Sequence, residues 1–570
     1  MSFPCWTQRG SGLEEHRGLA PLGLEPVGRR FIDELMPGLT GATVNVRYYS
    51  FFAWALWTFH QQTEAGAFPR TEERQAWWLG RMENLFRFAT LYAEPGKNGI
   101  VGVDEARTIP LRSDNPSAPV PVGRALRASA FVPAYYRASF LALGCAEPDG
   151  RAFSLTLSTG VPLGEAFHRV VESVPGADEE RRLLLAPTDT VPMRVIQVFA
   201  DVLCLRPVPV DDPENALLAD LLLRVRSRRE RPDLFASDRA RARSLTLLLE
   251  LLRQAGAPLE PEDFHALFTS GRFADGRVPE VSPHLVETWT RWQRYQEREH
   301  ERVALYALLH AAVPVIQGLH AEGRAAATRT ITQRLWENAR DSGIVLDWLG
   351  ESLSGVSVSD AQRRLLDRYD PTGVDEERGL ESLSHAVQHA GEGGEVVGGA
   401  ILLLLLITAH WRTVRPGVPE WARQTHLRGG AGRISLEVLS GAFDAQADRP
   451  VEEAFGWVME SCVLGQAIRV AVEKLASRAY RFFLAMGDDG FEIVRRPPDS
   501  RFYYPPRIRP AFSLMTELGL LESVEGRAVQ LTPHGERWLG DAQRVLDEEH
   551  RTRKASTLFP EGFKAPLRGA

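Results

Sequence analysis

Only four of the 67 basic residues are lysine: Lys97, Lys474, Lys554 and Lys564. Many sites that handle phosphate or cut nucleic acid need a lysine in a fixed frame, so this scarcity removes whole classes of chemistry. A P-loop places its lysine as G-x-x-x-x-G-K-[ST] so that the ammonium reaches the phosphates; Lys97 lies instead in Pro95-Gly96-Lys97-Asn98-Gly99. A common metal-dependent nuclease core needs a carboxylate two residues before its lysine, where this chain has Pro95, Val472, Thr552 and Gly562. The zinc-protease pattern H-E-x-x-H breaks after His300-Glu301, and G-x-S-x-G fails at Gly350-Glu351-Ser352-Leu353-Ser354. One constellation could hold a metal. His385 and His389 lie one helical turn apart, with Glu392 and Glu395 following, and two imidazoles on one face can share a zinc ion with a carboxylate. Histidines at that spacing more often face solvent, so no metal and no other cofactor is expected.

Arginine supplies the positive charge, and it is clustered. Between Leu217 and Gly256 stand Arg224, Arg226, Arg228, Arg229, Arg239, Arg241 and Arg243, against few acids. Guanidinium grips phosphate bidentately, so this segment, together with Arg47, is a candidate phosphate patch; the plainer reading is a solvated helix pair. The whole chain carries a net charge of −7, so any contact with nucleic acid must be local. Hydrophobic residues are 44% and charged residues 25%, the balance of a globular protein. Cys5, Cys145, Cys204 and Cys462 are far apart, with no C-x-x-C pair, which suits a reducing compartment. No charged segment followed by an apolar core opens the chain, and the expected location is the cytoplasm. The apolar run Val396 to Ala409 would span roughly 21 Å as a helix against a bilayer core of about 30 Å. It reads as a buried helix, with no membrane contact.

The elements that must position these residues are mostly helical. Val44 to His60 is aromatic on every side and should be a buried helix after the turn at Pro37-Gly38. A second helix is expected over Glu72–Tyr92. Glu94 to Pro121 is rich in Gly, Pro, Ser and Asp and reads as a loop. Ser282-Pro283 suits a helix start, followed by an amphipathic helix with Leu285, Trp289, Trp292, Gln296, Val303 and Tyr306 inward and Glu287, Arg291, Arg294 and Arg298 outward.

Near the C-terminus, Arg507 to Leu518 fits a short helix stopped by Gly519. Leu520 to Leu531 fits two short strands turning at Glu525-Gly526, and Thr532-Pro533 fits a new helix start. The residues Leu518, Gly519, Leu520, Leu521, Leu531, Thr532 and Gly535 resemble the "GLI … LT..G" signature of prokaryotic winged-helix regulators. That resemblance implies a helix in the major groove and a wing on the backbone. Arg495, Arg496, Arg501, Arg507, Arg509 and Arg527 would meet phosphate, with Ser513 and Thr516 toward the bases; the acids Glu517, Glu522 and Glu525 dilute the field. A second resemblance lies in Pro37, Gly38, Arg47, Tyr48, Tyr49, Phe51 and Trp54. This "PG … RYYxFxxW" block is similar to the opening of uncharacterised bacterial proteins of phage-defence islands, as is the Trp289–Leu309 helix. No reaction is implied.

The expected fold is therefore mainly α: a multi-domain helical protein with a C-terminal winged-helix-like α+β module. The expected division is 1–270, 271–440, 441–548 and a flexible tail over 549–570. The expected function is a non-enzymatic, DNA-associated component of a bacterial antiviral system, with DNA and other protein subunits as partners. An adaptor docking a partner nuclease or ATPase is the first alternative, and a divergent hydrolase built from distant residues the second.

Overall fold

The computed structural model describes residues 21–558 apart from 68, 98–99, 112–114, 124–128, 132–134, 151, 227–235, 370–378, 391–392, 421–433, 476–482, 496–506 and 526. The described chain is mainly helical. Its strands form two-stranded antiparallel sheets: β1 (Pro119–Pro121) with β4 (Thr190–Pro192), β2 (Ala146–Asp149) with β3 (Ala152–Leu155), β5 (Leu484–Gly487) with β6 (Gly490–Ile493), and β7 (Leu521–Ser523) with β8 (Val529–Leu531). The chain divides into two compact units, neither continuous in sequence. The first takes Met1–Leu35, Glu262–Ser282 and Val286–Pro506, and the second takes Met36–Pro261, Pro283–Leu285 and Arg507–Ala570. This differs from the serial division expected at 270 and 440, because the C-terminal segment completes a core begun by residues 36–261.

In the second unit, α2 (Arg47–Glu64) is the central element. Every residue from Arg47 to Leu56 is buried, as its all-round aromatic character requires. It packs on α3 (Glu72–Ala93), which opens at Thr71, whose hydroxyl accepts the Arg74 N–H at 3.2 Å. Phe51 stacks on Phe86 at 4.2 Å between ring centroids, and Tyr48 meets Tyr136 of α4 (Tyr136–Ala142) at 4.6 Å. Such ring pairs contribute about 0.5–1.5 kcal/mol each beyond area burial. Further helices of this part include α5 (Gly160–Glu172), α6 (Pro213–Leu223) and α7 (Ala236–Ala255). The C-terminal segment adds α13 (Ile508–Glu517), the β7–β8 hairpin and α14 (Pro533–Leu558). α14 runs well into the expected tail; 559–570 lie outside the described residues. Leu259 pairs antiparallel with Val529 through two backbone hydrogen bonds of 3.0 and 2.9 Å, and α14 packs on α7.

The first unit contains α1 (Glu25–Leu35), α8 (Asp263–Ser270), α9 (Val286–Ala321), α10 (Thr328–Ala339), α11 (Leu380–His389) and α12 (Gly394–Val414). The apolar run expected to be a buried helix is one, with Val396 to Ala409 buried in protein. By length and composition α9, α12 with the turn after it, and Val451–Glu473 could each cross a membrane, yet 83% of the apolar window of the α12 span is covered by protein. α9 begins at Val286 rather than beside Ser282. Residues 283–285 belong to the second unit, where buried His284 lies 3.4 Å from Asp547. The charged face expected on α9 is also corrected. Glu287 stays exposed and Arg291 stays at the surface, but Arg294 and Arg298 are buried. They pair with Glu297 and Glu301, and Arg302 pairs with Glu299.

If residues 507–558 complete the second unit, a chain ending at Pro506 should lose its protection. Limited proteolysis is expected to cut within 36–261 at least about tenfold faster than in the full chain, the change that ~1.4 kcal/mol of lost stability produces. Equal cutting rates would contradict this.

Candidate functional site

The signature residues of the C-terminal segment have local structural reasons. α13 ends at Gly519, whose φ of +68° is the left-handed conformation that stops a helix. The Thr532 hydroxyl donates to the Gly519 carbonyl at 2.6 Å and accepts the Gly535 N–H at 3.0 Å, which caps α14. α13 buries Ile508, Ala511, Phe512, Leu514 and Met515. Its remaining face carries exposed Arg509 and partly exposed Ser513 and Thr516. Spacing of i, i+4, i+7 puts these three on one stripe. The hairpin follows directly, with Arg527, Glu522, Val524 and Glu525 exposed.

The other basic residues singled out by sequence are distributed differently. Arg507 is buried and donates to the Met36 carbonyl at 3.0 Å, so it is a structural group and not a phosphate contact. Arg495 is exposed but belongs to the first unit; Arg496 and Arg501 lie outside the described residues. The proposed patch is thinned in the same way. Arg47 is buried, donates to Cys204 O at 2.7 Å and lies 3.5 Å from buried Glu214. Arg224 is buried in a left-handed conformation (φ +51°) at the end of α6, and its guanidinium bonds to the Leu143 carbonyl. Arg241 is fully buried and donates to the carbonyls of Pro37, Leu221 and Leu222 and to Asp238. Arg226 is exposed over the Trp538 ring, Arg239 and Arg243 are partly exposed, and Arg228 and Arg229 lie outside the described residues.

These buried guanidiniums explain the Pro-Gly turn. Consecutive carbonyls of Met36, Pro37 and Gly38 are held by Arg507, Arg241 and Ser139. Gly38 itself takes φ +80°, and a Cβ there would come 2.8 Å from Leu143. Glu517 also turns inward: its Oε2 accepts the Val46 N–H at 2.6 Å.

A polar cluster that sequence spacing did not reveal lies in the first unit, where α8, α9 and α11 meet. Glu381 Oε1 accepts from Thr269 at 2.8 Å and from Gln296 at 2.9 Å. The single hydroxyl hydrogen of Thr269 is thereby used, so its oxygen accepts from His300 Nε2 at 3.1 Å. Burial holds both His300 and His265 below the ordinary histidine range. The chain His300–Thr269–Glu381 can pass a proton between a fully buried imidazole and a carboxylate whose side chain is 25% exposed. His300 was visible in the sequence only as a failed zinc-protease frame; its partners are 31 and 81 residues away, beyond the reach of a motif. His385 and His389 are exposed, with rings 4.1 Å apart. Glu395 instead accepts the N–H groups of Gly343 and Ile344, and Glu392 lies outside the described residues. Among the described residues no three metal-ligating side chains are gathered. The second unit has an open cleft of about 480 Å³ beside His168 and Arg181. Trp54 donates to Nδ1 of that histidine, and Nε2 lies 3.2 Å from Glu172.

Comparison of the chain with family models, curated proteins and solved structures finds no match.

Two stability predictions follow from the burial. Arg241→Met removes the nearer partner of Asp238, whose other arginine, Arg224, stands 3.7 Å away, and leaves the Pro37 carbonyl without its donor, so urea denaturation should show a loss of about 3–5 kcal/mol; a surface phosphate ligand would lose almost nothing. His300 and His265, held low, bind fewer protons folded than unfolded. Stability should therefore be full above the ordinary histidine pKa of about 6.5 and decline as pH falls through it. His300→Asn should flatten that decline between pH 7.5 and 5.5, and an unchanged slope would show that His300 does not carry it.

Proposed function

We propose that this chain is a DNA-associated component of a bacterial antiviral system. It would contact duplex DNA mainly through backbone phosphates, at the face made by α13 and the β7–β8 hairpin. The supporting observation is the Arg509–Ser513–Thr516 stripe on a helix that is otherwise packed, followed at once by a hairpin carrying Arg527. Read as a winged helix, the segment has its helix–hairpin–helix order, and Leu259 supplies a short third strand beside Val529. The antiviral assignment rests on the resemblance of the Pro37–Trp54 block, and any covalent chemistry belongs to a partner. The contact is narrower than charge counting suggested, because four of the arginines serve the interior. A second reading, docking of a partner protein, is favoured by the exposed Glu522, Val524 and Glu525 on the same hairpin.

Fluorescence anisotropy with a labelled duplex at several salt concentrations tests this. A negative log–log salt slope is expected, reduced by about 0.9 for each of Arg509→Ala and Arg527→Ala. Negligible binding at low salt, or a slope untouched by both substitutions, removes this face as the DNA contact.

A further inference from the structure

We propose that Glu517 is a proton-operated latch, tying the last turn of α13 to the N-terminus of α2 when protonated and loosening it when ionised. The first amides of any helix need acceptors from outside it. α2 begins after Val46, a residue with no side-chain acceptor, and makes no side-chain cap of its own. Glu517 supplies the missing acceptor from 471 residues away, at 2.6 Å from the Val46 nitrogen. The C-terminal segment therefore caps the aromatic helix on which the second unit is built.

A carboxylate is ordinarily welcome at a helix N-terminus because of the helix dipole. The surroundings oppose it here. Tyr48 of α2 and Tyr136 of α4 stand near it, and both of those rings are buried. The charged groups that face it are Arg47 of α2 and Lys97 beyond α3. Neither is free to neutralise it: Arg47 is committed to Cys204 O and Glu214, and Lys97 lies 3.3 Å from Glu94. Burial outweighs the Val46 bond and both cations, and the Glu517 carboxyl is pushed up to about 7. An opened α13 would expose an ordinary carboxyl. Raising the pH toward 7 therefore favours opening, and the effect levels off above that value.

The latch needs no ligand; only its consequence, a pH-dependent grip on DNA, rests on the function proposed above. Hydrogen exchange of the full chain at pH 6 and pH 8, corrected for intrinsic exchange rates, separates the two. Protection over residues 46–49 and 508–518 should fall about tenfold from pH 6 to pH 8 in the wild type. In Glu517→Gln, which keeps an acceptor and loses the charge, protection should be the same at pH 6 and pH 8. Wild-type protection that ignores pH, or an equal fall in E517Q, overturns the latch. Should E517Q fail to fold, the wild-type profile alone decides. A duplex titration at the two pH values completes the test. A pH-dependent exchange pattern without DNA binding leaves the latch standing and sinks the DNA reading.

Discussion

A buried backbone group without a partner costs about 1–3 kcal/mol, and in the second unit that demand is met across the length of the chain. The Met36 carbonyl and the Val46 amide take their partners from Arg507 and Glu517, 471 residues later in both cases. The Leu518 carbonyl accepts from the side-chain amide of Asn215, and Leu259 exchanges both backbone bonds with Val529. These bonds tie the two ends of the unit into one core. The start of α2, the Pro-Gly turn and the seating of α13 all depend on that closure. So do the two sequence signals that looked separate, the aromatic block and the helix–hairpin–helix ending.

The arginines divide on the same principle. A guanidinium has five donors and no acceptor, so it can hold several carbonyls at once where a lysine cannot reach them in a plane. Arg241 does this at the centre of the second unit, with Asp238 balancing its charge. In the first unit each buried arginine of α9, Arg294, Arg298 and Arg302, has a glutamate three residues away to pair with. The basic composition of this chain is thus in part a way of building its interior. Of the arginines singled out by sequence, Arg226, Arg495, Arg509 and Arg527 are exposed among the described residues, and Arg239 and Arg243 partly so.

Much of the local structure was legible. The aromatic helix, the helix from Glu72, the buried run at Val396–Ala409 and the helix–hairpin–helix at the C-terminus follow from periodicity, caps and turn residues. Burial of charge was not legible, since a count of arginines within a segment cannot tell a solvated face from one whose partners lie on other helices. The division into units was equally hidden, because the bonds that close the second unit join residues hundreds of positions apart. The short sheets β1–β4, β2–β3 and β5–β6 also escaped, being three or four residues per strand with weak alternation. The His300–Thr269–Glu381 chain needed three helices to meet, which no spacing rule encodes.

The central claim is that residues 507–558 are structurally one with residues 36–261. Native-state hydrogen exchange of the Leu259 and Val529 amides, which bond to each other's carbonyls, tests it most directly. Measured against increasing denaturant, the two amides should converge on one opening free energy and one denaturant dependence, as members of a single cooperative unit. A Val529 amide that exchanges through a separate, low-energy opening while Leu259 stays protected would contradict the account.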